Sequence, residues 1–195
     1  MGWFGTQKVY EQLCEEIGGE FVRYGWWKTP KLKCKVGRWT IVLDTYLGNE
    51  NDPPRTRLRA PFLNPTGFRF KIYRQGTFSG LAKMLGMQDI EVGDPAFDEE
   101  FIIKSNDEGT VRELLANCMI RLTIRALPPD RIEIKDNDGW FGTKFPDDVD
   151  ELYFLAPGVI ENVATLKTLF ELFAALLEQL CRIRVTTRRD PGVSL

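Results

Sequence analysis

Histidine is absent from the chain. That removes the commonest general base and the commonest transition-metal ligand together. A Ser-His-Asp triad, a Cys-His dyad and a histidine-containing zinc site are therefore excluded. Cysteine is scarce as well. Cys14, Cys34, Cys118 and Cys181 form no C-x-x-C pair, and each sits among apolar neighbours. This predicts reduced, buried thiols and a cytoplasmic location, although disulfides in a secreted form would also fit an even cysteine count. No run reaches the roughly 18 to 20 apolar residues that span a bilayer. The first residues read as an acidic helix, without a basic n-region and an apolar h-region, so neither a transmembrane segment nor a secretory signal is expected. A G-x-x-x-x-G-K-[ST] phosphate loop is missing too. Gly76-Thr77-Phe78-Ser79-Gly80 could receive a lone anion where it opens a helical pattern, but capping alone accounts for it. No cofactor is predicted.

What is present describes a globular chain. Of 195 residues, 43% are apolar and 28% charged. Length and composition predict one α+β domain over residues 1–183 and a frayed tail over 184–195. Residues 7–17 carry a helical pattern in Val9, Leu13 and Ile17, with Thr6 as a plausible N-cap and Gly18-Gly19 as the stop. From Phe21 to about Tyr73 the period becomes two. Leu32, Cys34 and Val36 alternate with Lys31, Lys33 and Lys35, and Trp39, Ile41 and Leu43 with Thr40, Val42 and Asp44. The same alternation recurs around Leu58, Ala60 and Phe62 and around Phe68, Phe70 and Ile72. Short turns between these strands predict antiparallel pairing of sequence neighbours. Further on, the pattern predicts a short helix from Ser79 to Gly86 and an acidic loop over 88–96. A strand at Phe101–Ile103 and a helix opened by a Ser105–Glu108 capping box follow. The end of that helix is open, because Met119–Ile124 also reads as strand. Next come a hairpin turning at Asn137-Asp138-Gly139 and returning over Trp140–Phe145, and a strand at Leu152–Leu155.

The clearest element is the last. Val163, Leu166, Leu169, Phe170, Phe173, Leu176, Leu177 and Leu180 make one apolar stripe over about five helical turns. The expected fold is a curved antiparallel sheet of about seven strands, with inserted helices and this long C-terminal helix packed on it.

Three sets of residues could carry chemistry. The first is a basic strand face: Lys31, Lys33 and Lys35; Arg55, Arg57 and Arg59; Arg69 and Lys71. Residues 1–75 carry a net charge of +6 and the remainder −8. Such polarity could take an anionic polymer or a lipid headgroup, with Tyr24, Trp26 and Trp27 available for stacking. A solvated face whose charges discourage strand pairing is the plainer reading, and the acidic pI of about 5.4 disfavours nucleic acid. The second set is the acidic run Asp89, Glu91, Asp94, Asp98, Glu99 and Glu100, which matches no calcium loop and could instead pack against the basic face. The third is a pentapeptide: Gly2-Trp3-Phe4-Gly5-Thr6 recurs as Gly139-Trp140-Phe141-Gly142-Thr143 with unmatched flanks. Trp3, Phe4, Trp140 and Phe141 are candidate hydrophobic anchors. Carboxylate pairs for acid–base work arise by chance in so acidic a chain, so no catalytic residue and no metal site is assigned.

The segment Gly93-Asp94-Pro95-Ala96-Phe97-Asp98-Glu99-Glu100-Phe101-Ile102-Ile103, followed by Ser105 to Leu115, resembles a pattern in bacterial proteins of unknown function. In that pattern a G-D-P-x-F-D-x-x-F strand precedes a polar turn and a helix ending in paired leucines. Some of those proteins carry the region as a soluble domain beside membrane helices. The likeness is specific over 93–115 and loose over 89–180. It implies a bacterial origin and supplies no catalytic residue. Physically, Asp94 and Asp98 would fix the loop while Phe97 and Phe101 pack inward.

These readings converge on a non-catalytic binding or adaptor domain of the bacterial cytoplasm, with a protein partner or self-association favoured. A carboxylate-based enzyme, with or without a metal ion, is the alternative, and binding of an anionic polymer or lipid headgroup is another.

Overall fold

The structure, a computed structural model, describes residues 3–22, 30–47, 53–76, 89–127, 129–136, 145–193 and 195; at residues 3–5 only the backbone is described. The expected helix over 79–86, the hairpin return over 140–145 apart from Phe145, and the aromatics Tyr24, Trp26, Trp27, Trp140 and Phe141 lie outside these residues.

Among the described residues eight strands form one antiparallel sheet: β1 (Glu20–Val22), β2 (Lys31–Val36), β3 (Trp39–Tyr46), β4 (Arg55–Leu63), β5 (Phe70–Arg74), β6 (Phe101–Ser105), β7 (Arg131–Lys135) and β8 (Val149–Pro157). Their order across the sheet is β1-β2-β3-β4-β8-β7-β5-β6. The first four make a meander. The β2–β3 hairpin turns on Gly37, whose φ of 62° suits the first central position of a type II′ turn.

The short link after β4 does not pair that strand with β5, as neighbouring strands joined by a tight turn would predict. β8 takes the edge of β4 over the register Thr56↔Ala156 to Leu63↔Val149. β5 lies three strand positions away, roughly 14 Å at ordinary strand spacing. The link 64–69 can reach about 20 Å, so it crosses the end of the sheet. Asn64 holds this crossing. Its amide donates to Phe68 O at 2.9 Å and to the Asp150 carboxylate at 2.5 Å, and its backbone N–H donates to Asp148 O.

The described residues also form five helices: α1 (Trp3–Ile17), α2 (Pro95–Glu100), α3 (Glu108–Leu115), α4 (Cys118–Ala126) and α5 (Val163–Arg182). Helix α1 begins before Thr6, so that residue caps nothing; its hydroxyl donates to Glu161 near the start of α5. The cap of α3 is Asp107, which accepts from Thr110 N. Ser105 instead closes β6, donating to Arg69 O and Asp107 O. The stretch Met119–Ile124 is helix, restarted after Ala116 by Asn117, whose side chain accepts from Met119 N.

Helix α5 buries Leu166, Leu169, Phe170, Leu172, Phe173, Leu176, Leu177 and Leu180. Each such side chain contributes about 1.5 to 3 kcal/mol gross. They meet the sheet face that carries Leu32, Ile41, Leu43, Leu58, Phe62, Ile132, Leu152 and Phe154, with the Phe154 and Phe173 rings edge to face at 6.4 Å. Beyond α5 the chain does not leave the body at once: Val185 and Thr186 are buried. No described helix is long and apolar enough to cross a membrane.

Candidate functional site: the second face of the sheet

Alternation sends every second residue of each strand to the face opposite the helices. There the register aligns Lys33, Val42, Arg59, Tyr153, Glu133, Lys71 and Lys104 in one row across the sheet. A neighbouring row runs Lys31, Asp44, Arg57, Leu155, Arg131, Tyr73 and Ile102. Seven of the eight expected cations thus share one face of the sheet or its immediate edge. The eighth, Arg69, precedes β5 at the sheet end.

This face is not simply a solvated surface. Val42, Asp44, Arg59, Tyr73, Val149, Glu151, Tyr153 and Leu155 are all buried, although the five apolar ones stand outside the main core. Strand β8 is consequently buried on both sides, which its near-continuous apolar run permits.

Most of the cations are neutralised. Asp44 sits between β2 and β4 and accepts from Arg57 Nε and NH2 at 2.7 and 2.8 Å, and from Arg59 NH2 at 3.2 Å. The two-pronged Arg57 contact is the strong geometry for a guanidinium and a carboxylate. Arg57 also lies over the Tyr46 ring at 5.2 Å. Arg55 pairs with Asp130 at 3.5 Å, Lys71 with Glu133 at 3.3 Å, and Arg69 with Asp150 at 3.0 Å. Lys135 reaches the fully buried Glu151 at 3.0 Å and lies 3.9 Å above the Tyr153 ring, which Arg131 approaches at 5.2 Å.

The β2 lysines differ. Lys33 and Lys35 make no ion pair with any described residue, though Glu20 stands opposite Lys33 in the register. Lys31 stands opposite Asp44. Burial pushes the Lys31 ammonium below its ordinary pKa, and the nearby Arg59 guanidinium pushes the same way.

The acidic run meets this face at one described point, Asp89, whose partner Lys104 ends the first row. Asp89 pairs with Lys104 at 2.6 Å, Asp94 with Arg121 at 2.8 Å and Glu100 with Arg125 at 2.7 Å. The Asp98 carboxylate accepts from the backbone N–H groups of Val92, Gly93 and Asp94, and Asp94 caps α2 by accepting from Phe97 N. Phe97 and Phe101 are buried with ring centroids 4.9 Å apart. Each of the two aspartates therefore holds the loop, and each of the two phenylalanines packs inward. Among the described residues no three His, Cys, Asp or Glu side chains gather closely enough to hold a metal ion. Trp3 and Phe4 fall in the first turn of α1, and their side chains are not described. The cysteines are free thiols; only Cys34 is buried, Cys14 and Cys181 are half-buried and Cys118 on α4 is exposed, so the expectation of four buried thiols holds for one of them.

No family model, curated protein or solved structure matches the chain.

Sequence reasoning found the cations and their shared face but missed the counter-charges Asp130, Glu133, Asp150 and Glu151. Alternation puts Asp44 on the polar face of its own strand, without naming its partners. Which carboxylate meets which cation depends on the insertion of β8 and β7 between β4 and β5, and nothing local in the chain encodes that order.

Proposed function

We propose that this chain is a non-catalytic binding or adaptor domain of the bacterial cytoplasm, recognising a protein partner through the second face of its sheet. The bacterial setting rests on the resemblance of residues 93–115. The observation that carries the reading is unequal neutralisation of one face. The cations of β4, β5 and β7 meet carboxylates, whereas Lys33 and Lys35 on β2 ion-pair with no described residue. Interlocked ion pairs hold a surface in shape and have no proton or nucleophile to offer. A row of lysines left at its border attracts an opposite charge.

Carboxylate chemistry has one observation on its side. Burial holds the Asp150 carboxyl above the usual aspartate range. Its oxygens are taken by Asn64 and Arg69, which tie down the sheet-end crossing, and this favours a structural role.

The test is titration of the purified chain with poly-L-glutamate, duplex DNA and anionic vesicles at low and high salt. Binding to polyglutamate that weakens with salt is expected. Absence of polyglutamate binding at low salt, or stabilisation by magnesium, manganese or calcium in a melting assay, would overturn the reading.

A further inference from the structure

Resting on that reading, we infer that the partner contributes an extended acidic segment with carboxylates on alternate residues, lying along the β2 lysine row. Lys31, Lys33 and Lys35 project from one face of a six-residue strand. Alternate residues of a strand stand roughly 6.6 to 6.8 Å apart. An extended partner presents its own alternate side chains at the same interval, so each carboxylate meets one ammonium without either chain bending. A helix matches this interval less closely: its same-face residues recur every three or four positions, about 5 to 6 Å apart, and drift around the axis.

The position within the sheet supports the same occupant. Strand β1 pairs only with Lys31, Leu32 and Lys33, so it stops short of Lys35, which is exposed. Beyond Lys33, among the described residues, no strand pairs with the outer flank of β2, and Lys35 stands there. Positive charge elsewhere on the face is held in ion pairs, as with Arg57 and Arg59, which share Asp44. A long anionic polymer would meet alternating signs across the strands, whereas a strand-like acidic segment confined to β2 meets one sign.

The experiment compares two fluorescent ten-residue peptides of identical composition on the full chain. One alternates glutamate with threonine; the other carries its glutamates consecutively. Polyglutamate binding is followed in parallel. The alternating peptide is expected to bind at least about fivefold tighter than the block peptide, and Lys33→Glu with Lys35→Glu to remove that preference. Lys35→Gln, at an exposed position, serves as the milder variant, and melting curves check that each variant folds. Equal affinity for both peptides, or unchanged binding in Lys35→Gln and the double variant, would overturn the inference while leaving the binding reading intact. If polyglutamate also fails to bind, both fall together.

Discussion

Asp44 shows how much one side chain can hold. It is about 1% exposed, lies between β2 and β4, and is the carboxylate for two arginines. Taking charges out of water is costly, and only mutual pairing offsets it. Asp44→Asn keeps the shape and removes the charge, leaving Arg57 and Arg59 without their carboxylate. The expected loss of folding stability is about 3 to 5 kcal/mol, read from urea or guanidinium midpoints. A loss below about 1 kcal/mol would mean that water reaches the site freely. Alternation in β3 placed Asp44 opposite the core, so its face was legible in the chain. Its burial was not, because polar residues on an alternating strand read as solvated until the tertiary arrangement covers them.

At the scale of elements, helix ends illustrate the difference between pattern and geometry. The stripe of α5 was plain from Leu166, Phe173 and Leu180, and Asn162 caps its start by accepting from Thr165 N at 2.9 Å. Its far end is a Schellman motif: Val185 N–H donates to Leu180 O and Arg184 N–H to Cys181 O. Arg184 takes φ 62°, a left-handed conformation that glycine adopts without strain. Arg184→Gly should therefore stabilise the chain by roughly 1 kcal/mol, seen as a raised melting temperature. No local signal marks the motif, since an arginine stands where glycine is usual. The burial of Val185 against Leu180 supplies the compensation. On α4 the exposed Met119 and Leu122 add two apolar side chains to the surface, too small an area to mark an interface by itself.

At the scale of the whole molecule, α1 is fastened to the sheet by Tyr10, whose hydroxyl lies 3.5 Å from Thr45 Oγ1. Burial pushes the Tyr10 phenol from 10.0 up to about 12. A folded-state value above the unfolded one means that the unfolded chain ionises first. The stabilisation is complete below pH 10 and is lost as pH rises towards about 12. Its size is roughly 2 to 3 kcal/mol. The difference in unfolding free energy between the native chain and Tyr10→Phe should accordingly be nearly constant below pH 10 and shrink across that window. A difference that ignores pH would show that Tyr10 ionises as freely in the fold as outside it.

What the chain determines by itself is local. Period-two alternation sets which side chains share a strand face, the three-and-four spacing of α5 sets its buried stripe, and the absence of histidine removes whole classes of chemistry. These follow from backbone geometry acting over a few residues. The tertiary structure decided strand order, the crossing of 64–69 and the partner of each cation. Those depend on β8 pairing with β4 across about ninety residues of chain, where apolar burial on both faces outweighs the preference of a short link for pairing its own ends.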